Sequence, residues 1–339
     1  MMLGSVEIHE FFIYERLDWG SDARDHMEAI MRRSSAPATR PLRRLLVGTD
    51  FSSGAAAALS RLPHLPLAPR AEITILHVLP VQLSSALRAA EIAEAERRLR
   101  QEAMRLRRGL VAADRRGVRV RTALAQGQPH VEIRRRSRSM DLVVVGRHGH
   151  RPFRDLLVGS TAERVIQKGD VPVLLVARRA RSGYHRPIAA VDLSETSGAM
   201  LDLAVRVLAP ARRMLDVVHV YETSYDEMLR RVATNPARAA YTRECRAQAR
   251  GAVAKLIGES AAAPVVRAVV LRRADTRRAI LSAARVRGAD LIALGTHGRT
   301  GFGHWLLGSV AEAVMRHATC DVLVAPPQRP SNRSARRAA

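Results

Sequence analysis

The stretch MDLVVVGRHG, Met140–Gly149, is answered 149 residues later by ADLIALGTHG, Ala289–Gly298. Each is an aspartate, a short aliphatic run and a glycine. A run this short, with no polar alternation, reads as a strand buried on both faces rather than as a helix. A second glycine follows at equal spacing in both. The first copy runs Gly146, Gly149, nine residues, then Gly159-Ser160, and the second runs Gly295, Gly298, nine residues, then Gly308-Ser309. Buried strand, glycine loop and helix start, in that order, predict a parallel α/β sheet.

The repeat extends outward from these loops. PIAAVDLS (Pro187–Ser194) parallels LLVGTDFS (Leu45–Ser52), and LDVVHV (Leu215–Val220) parallels ITILHV (Ile73–Val78), at an offset of 142 residues. The larger offset at the loops predicts a short insertion within the second copy. In the first copy the pattern gives a strand from Leu42, a helix through Ala55–Ala58 capped by Ser52, and a strand at Ile73–Val78. A long amphipathic helix over Ala86–Arg115 comes next, then a strand at Val118–Leu124 and a helix at Pro129–Arg138. Strands at Asp141–Gly146 and Val173–Val176, with a helix from Ser160 between them, close the copy. Alternation of this kind predicts two tandem, doubly wound domains, Rossmann-like, at 41–180 and 185–327. Residues 1–40 have no counterpart later in the chain. They combine Phe11, Phe12, Tyr14 and Trp19 with seven acidic residues, and read as a poorly ordered extension, or alternatively as a partner-binding or lid segment. Arg178–His185 reads as a polar linker, and 328–339 as a basic disordered tail.

Composition bounds the function classes. The 339 residues are 47% hydrophobic and 4% aromatic, so Leu, Val, Ile and Ala must fill the cores. The net charge of +24 first suggests nucleic acid. However, only Lys168 and Lys255 are lysines, and the other 54 basic residues are arginines spread over both copies. With no lysine-rich block and no interleaved aromatics, dedicated nucleic-acid binding is disfavoured. Two distant cysteines, Cys245 and Cys320, argue against a disulfide scaffold. No apolar run is long enough for a membrane helix, and no signal peptide is legible, so the expectation is a cytoplasmic protein.

The glycine loops carry the chemistry. The strand delivers its first glycine to the carboxyl edge of the sheet, where open α/β folds bind ligands. Glycine permits close approach of backbone to ligand, and the helix opening at Gly-Ser offers free amides and a positive dipole end to phosphate. One such pair would be weak evidence, but two at identical spacing are strong.

This spacing resembles the universal stress protein family, in its ATP-binding branch, and the wording of GTHGRTGFGHWLLGSVAEAVMRHATCDVLVAPP is especially close. The resemblance covers about Leu42–Arg178 and Arg186–Pro326, and implies a five-stranded parallel sheet per copy with helices on both faces. It further implies that Gly48, Thr49 and Asp50, and in the second copy Ala190, Val191 and Asp192, lie by adenosine. Val78 and Val220 would line the adenine pocket. Ribose and phosphates would be held by Gly146, His148, Gly149, Gly159, Ser160 and Thr161, matched by Gly295, His297, Gly298, Gly308, Ser309 and Val310. The copies differ, since Pro152 and Arg154 stand where the second loop has Gly301 and Gly303, and Val191 replaces Thr49. Mg2+ would arrive with the triphosphate.

Other signals read more plainly. His77 and His219 are expected as satisfied core histidines, Trp305 as a packing anchor, and the charged helix Glu91–Arg108 as a solvated face. Cys320 is expected to be buried. No P-loop, nucleophile elbow or lysine near the expected phosphates is present, so at most weak ATP hydrolysis is expected. The reading is an ATP-binding stress-response sensor acting on an unidentified protein partner. The alternatives are a tandem scaffold with empty pockets and an arginine-driven nucleic-acid binder. The terminal strands VPVLLV (Val171–Val176) and CDVLVA (Cys320–Ala325) would be exposed edges unless paired. The resemblance implies that they pair within the chain as a pseudo-dimer, with a homodimer of chains as a further level.

Overall fold

The computed structural model describes residues 40–81, 85–147, 159–208, 214–221, 234–260, 266–272, 275–296 and 307–326. Its first half runs β1 (Leu42–Gly48), α1 (Ser53–Arg61), a 3-10 turn (Leu62–His64), β2 (Leu67–Leu79), α2 (Ser85–Ala112), β3 (Arg119–Gln126), α3 (Pro129–Ser137), β4 (Leu142–Gly146), α4 (Ser160–Lys168) and β5 (Val173–Val176). The second half repeats the order as β6 (Pro187–Val191), α5 (Ser197–Arg206), β7 (Leu215–Tyr221), α6 (Asn235–Glu259), β8 (Val266–Arg272), α7 (Thr276–Val286), β9 (Leu291–Gly295), α8 (Ser309–His317) and β10 (Asp321–Ala325).

Local chemistry sets the helix starts. The Ser52 hydroxyl accepts from the Ala55 N–H at 3.2 Å and caps α1, and Asp275 caps α7 through the N–H groups of Arg277 and Arg278. Proline opens α3 and α6, where its missing N–H costs nothing. β2 begins six residues earlier than the sequence predicts. Pro66, Pro69 and the left-handed Arg70 (φ 62°) read as a loop, yet Leu67 and Ala68 are buried and Leu67 pairs with Leu42 across a register shift.

Each half is a five-stranded parallel sheet, and the two join in one ten-stranded sheet of order β3-β2-β1-β4-β5-β10-β9-β6-β7-β8. The join is antiparallel, with Leu174 opposite Leu323 and Val173 opposite Val324. The hydrophobic edge strands therefore cover one another within one chain, and the carboxyl edges of the two halves face opposite ways. Leu142, Val143, Val144 and Val145 are all buried, as a strand covered on both faces requires. Alternate residues feed two cores. Leu45, Val47 and Val144 pack with α1, α2, α5 and α6, whereas Leu46, Val143 and Val145 pack with α3, α4, α7 and α8.

The segment between the halves is more than a tether. Tyr184 is fully buried, and its hydroxyl donates to Asp321 Oδ2 at 2.8 Å. No helix among the described residues is long and apolar enough to cross a membrane.

Candidate functional site

In each half the chain leaves the first strand in one direction along the sheet and returns to its other side. The switch point lies between β1 and β4, and again between β6 and β9, the crevice where such sheets take ligands. Thr49 and Asp50 follow β1 there, and Arg147 follows β4. Val191 and Asp192, with Thr296, occupy the same places in the second half. The structure thus brings together the residues read from the first strand and the bases of the glycine loops.

The turn after the first strand is built alike twice. Asp50 Oδ1 accepts the Ser52 N–H at 3.0 Å, and Asp192 Oδ1 accepts the Ser194 N–H at 3.1 Å. The residue between is held left-handed in both, Phe51 at φ 64° and Leu193 at φ 62°. A bulky residue in that region is strained by about 1–3 kcal/mol, a strain that proteins keep mainly at functional sites. His77 Nδ1 donates to the Thr49 carbonyl at 2.8 Å, and His219 Nδ1 to the Val191 carbonyl at 2.9 Å. Because a carbonyl only accepts, these bonds place a proton on Nδ1. Burial, aided by nearby Arg98, pushes the His77 pKa down against the opposing pull of the carbonyl and Asp50. The ring is therefore neutral at pH 7. Both histidines are satisfied as expected, but only His219 is a core residue, His77 being half-buried.

The loop bases also match. The Gly159 N–H donates to the Arg147 carbonyl at 2.9 Å, and the Gly308 N–H to the Thr296 carbonyl at 2.8 Å. Each ties the residue after the strand to the glycine before the helix. Ser160 and Thr161, or Ser309 and Val310, then open α4 and α8 behind a glycine with no side-chain oxygen to cap the first-turn amides. Val78, Ala190 and Val220 are half-buried against the α3/α4 and α7/α8 core. His148, Gly149, Pro152, Arg154, His297, Gly298, Gly301, Gly303 and Trp305 lie outside the described residues, as do 1–39 and 327–339.

Several residues have physical reasons the sequence reading did not give. Gly146 is small because α1 presses on it, and a Cβ there would lie 2.3 Å from the carbonyl carbon of Gly54. Gly48 faces Ile133 and Val145 in the same way, at 3.3 and 3.6 Å. The Thr49 hydroxyl is turned inward, accepting the Phe51 N–H at 3.0 Å and donating to Glu102 Oε1 at 3.2 Å. Glu102 departs from the solvated face expected of the charged residues in Glu91–Arg108. It is only 9% exposed, and burial pushes its carboxyl above the usual range despite Thr49, Arg98 and Arg105. Buried positions 102, 106 and 110 match 249, 253 and 257 of α6 in spacing, a signal that marks 102 as inward. The second half therefore carries Val191 and Ala249 where the first carries Thr49 and Glu102. The two turns also differ in what covers them. Phe51 stacks between His77, at 4.3 Å between centroids, and the Arg98 guanidinium, 4.3 Å above its ring, whereas Leu193 packs as a plain aliphatic.

Fold and paired crevices define a tandem, doubly wound α/β protein with one equivalent switch point per half. The family model described as Universal stress protein family matches residues 41–177 and 183–326, and the chain belongs to that family. It is 34% identical over 140 residues to Universal stress protein A homolog 1 of Coxiella burnetii, covering 41% of this chain and 94% of that protein. It is 30% identical over 144 residues to Universal stress protein YxiE of Bacillus subtilis, covering 39% and 97%. A solved universal stress protein from Archaeoglobus fulgidus shares the fold over 84% of this chain and 98% of its own, with a TM-score of 0.61 and 22% identity.

Proposed function

We propose that the two switch points bind adenine nucleotide, ATP in particular, and that occupancy is signalled to a protein partner in the stress response. The observation that carries this reading is Asp192. Its Oδ1 takes Ser194 N–H, Ser194 Oγ at 2.7 Å and Ser197 Oγ at 2.9 Å, while its buried Oδ2 has no protein partner. A buried carboxylate oxygen left unpaired is costly, and a ribose hydroxyl brought against it would satisfy it. The glycine-started helices α4 and α8 support the same reading, offering first-turn amides and a positive dipole end to a phosphate chain.

In this reading Asp50 and Asp192 orient the nucleoside, Gly159 and Gly308 let the ligand approach the backbone, and the amides of Ser160 and Thr161, and of Ser309 and Val310, hold phosphate. Gly146, His148 and Gly149, with Gly295, His297 and Gly298, help hold ribose and phosphates, and Mg2+ enters with the triphosphate. Val78 and Val220 supply the apolar wall of each base pocket. The role is that of a binding switch, with at most slow hydrolysis.

Mass spectrometry of small molecules released from purified protein tests occupancy directly. Calorimetric ATP titration of the wild type beside Gly159→Asp, Gly308→Asp and the double variant tests the sites. Each new carboxylate repels phosphate and crowds the helix start, so each single variant should lose one site by about ten-fold or more and the double variant both. Unchanged ATP affinity in all three would defeat the assignment.

A further inference from the structure

A cleft of about 500 Å3 opens in the first half between α1, the 3-10 turn and α2. Its size falls in the range of small-molecule sites. Leu59, Pro63 and Leu106 give it an apolar wall, and Ala56, Ala112 and Ala113 leave the space open. Gly109 lets α2 approach the turn, since a Cβ there would sit 3.3 Å from Pro63 Cγ.

The charged lining is uneven. Arg105 and Arg179, from α2 and the segment after β5, both line the cleft and are both exposed. Glu102 is the one acid among the described lining residues, and its Oε2 has no partner. The fold itself does not demand this carboxyl, because the second half places Ala249 at the matching position. A cleft with an apolar wall and two guanidinium groups from different elements suits a ligand with an apolar body and one anionic head.

We propose that this cleft binds a straight-chain carboxylate of decanoate to tetradecanoate length, its chain against Leu59, Pro63 and Leu106 and its head between Arg105 and Arg179. The site is independent of the nucleotide reading.

The test is displacement of a fluorescent probe, dansyl-aminoundecanoic acid, from the full chain below micellar concentrations. One probe should bind per chain. Dodecanoate should displace it roughly ten-fold more tightly than decanoate, as two added methylenes dictate. Dodecanol should bind about ten-fold more weakly than dodecanoate, and Arg105→Glu with Arg179→Glu, both on the surface, should erase that preference. Leu59→Trp, which fills the cleft, should abolish binding while circular dichroism stays unchanged. The proposal is overturned by dodecanol binding as tightly as dodecanoate to the wild type, by an acid preference that survives the double arginine variant, or by no saturable displacement. Full binding by a folded Leu59→Trp variant would overturn it as well.

Discussion

The Arg147 guanidinium, one residue beyond β4, donates to the main-chain carbonyls of Ala318 and Arg316 at the end of α8. Arg147 belongs to the first glycine loop, and α8 starts at the last glycine of the second. One nine-residue helix thus touches both loops. Helix-end carbonyls lack intrahelical partners and carry the negative pole, so a buried guanidinium is well matched to them. Arg147→Thr, which copies Thr296 of the second half, should lower stability by about 1–3 kcal/mol in urea unfolding. Arg147→Lys should recover only part, because a point ammonium cannot span two carbonyls as the planar fork does. A lysine variant as stable as wild type would show that charge alone suffices.

A second bond across the halves is buried more deeply. Arg61 Nε lies 3.0 Å from Asp321 Oδ2, its Nη1 donates to the Ser182 carbonyl at 2.8 Å, and its guanidinium covers the Tyr184 ring at 4.2 Å. The Ala177 N–H and the Tyr184 hydroxyl complete the shell of Asp321. Removing one partner of such a pair strands the other charge. Arg61→Met should therefore cost about 3–5 kcal/mol, and Arg61→Met with Asp321→Leu clearly less than the sum of the two single changes. Additive losses in a double-mutant cycle would mean that the two residues act separately.

These contacts mark the limit of what the sequence makes legible. The runs LVVVG and LIALG are too short and too apolar to be anything but buried strands, and the repeat around them yields the order of elements, whereas the pairing of the edge strands was implied by the family resemblance. The loop spacing locates both switch points. Arg147 was legible only as a loop residue, because its partner is set by the antiparallel meeting of β5 and β10 and no local pattern encodes that. Glu102 was hidden by neighbours such as the Glu94–Arg97 and Glu96–Arg100 pairs, which are solvent-exposed and lend their helix a solvated look. Phe51 and Leu193 gave no sign of a left-handed backbone, since nothing in their chemistry favours it.

Cys320 precedes β10 and is half-buried rather than buried as expected, yet the desolvation of its thiol, reinforced by Asp321 and Asp290, pushes it up to about 12. The thiolate is the reactive form, so at pH 8 the native protein should resist iodoacetamide at this position. Peptide mapping should show Cys320 alkylated at least about 100-fold more slowly in native protein than in urea, where the thiol returns to about 8.5. Comparable rates in the two states would place the thiol in a solvated pocket.

Asp141, just before β4, gathers the Arg43 and Arg44 N–H groups at 2.8 and 2.9 Å and Arg206 Nη2 at 3.2 Å. Burial alone would raise its pKa, but the two N–H groups and the Arg206 guanidinium together hold it below the ordinary carboxylate value. A carboxylate depressed in the folded state stabilises fully above its unfolded pKa near about 4. That contribution fades as pH falls through the folded value. Asp141→Asn should thus cost about 1–2 kcal/mol at pH 7, and the gap from wild type should narrow as pH drops below about 4. Urea unfolding of both proteins at fixed ionic strength follows this difference directly, and separates it from the general acid destabilisation of a chain already at +24. A gap that stays constant down to pH 2 would mean that Asp141 acts through shape and not through charge.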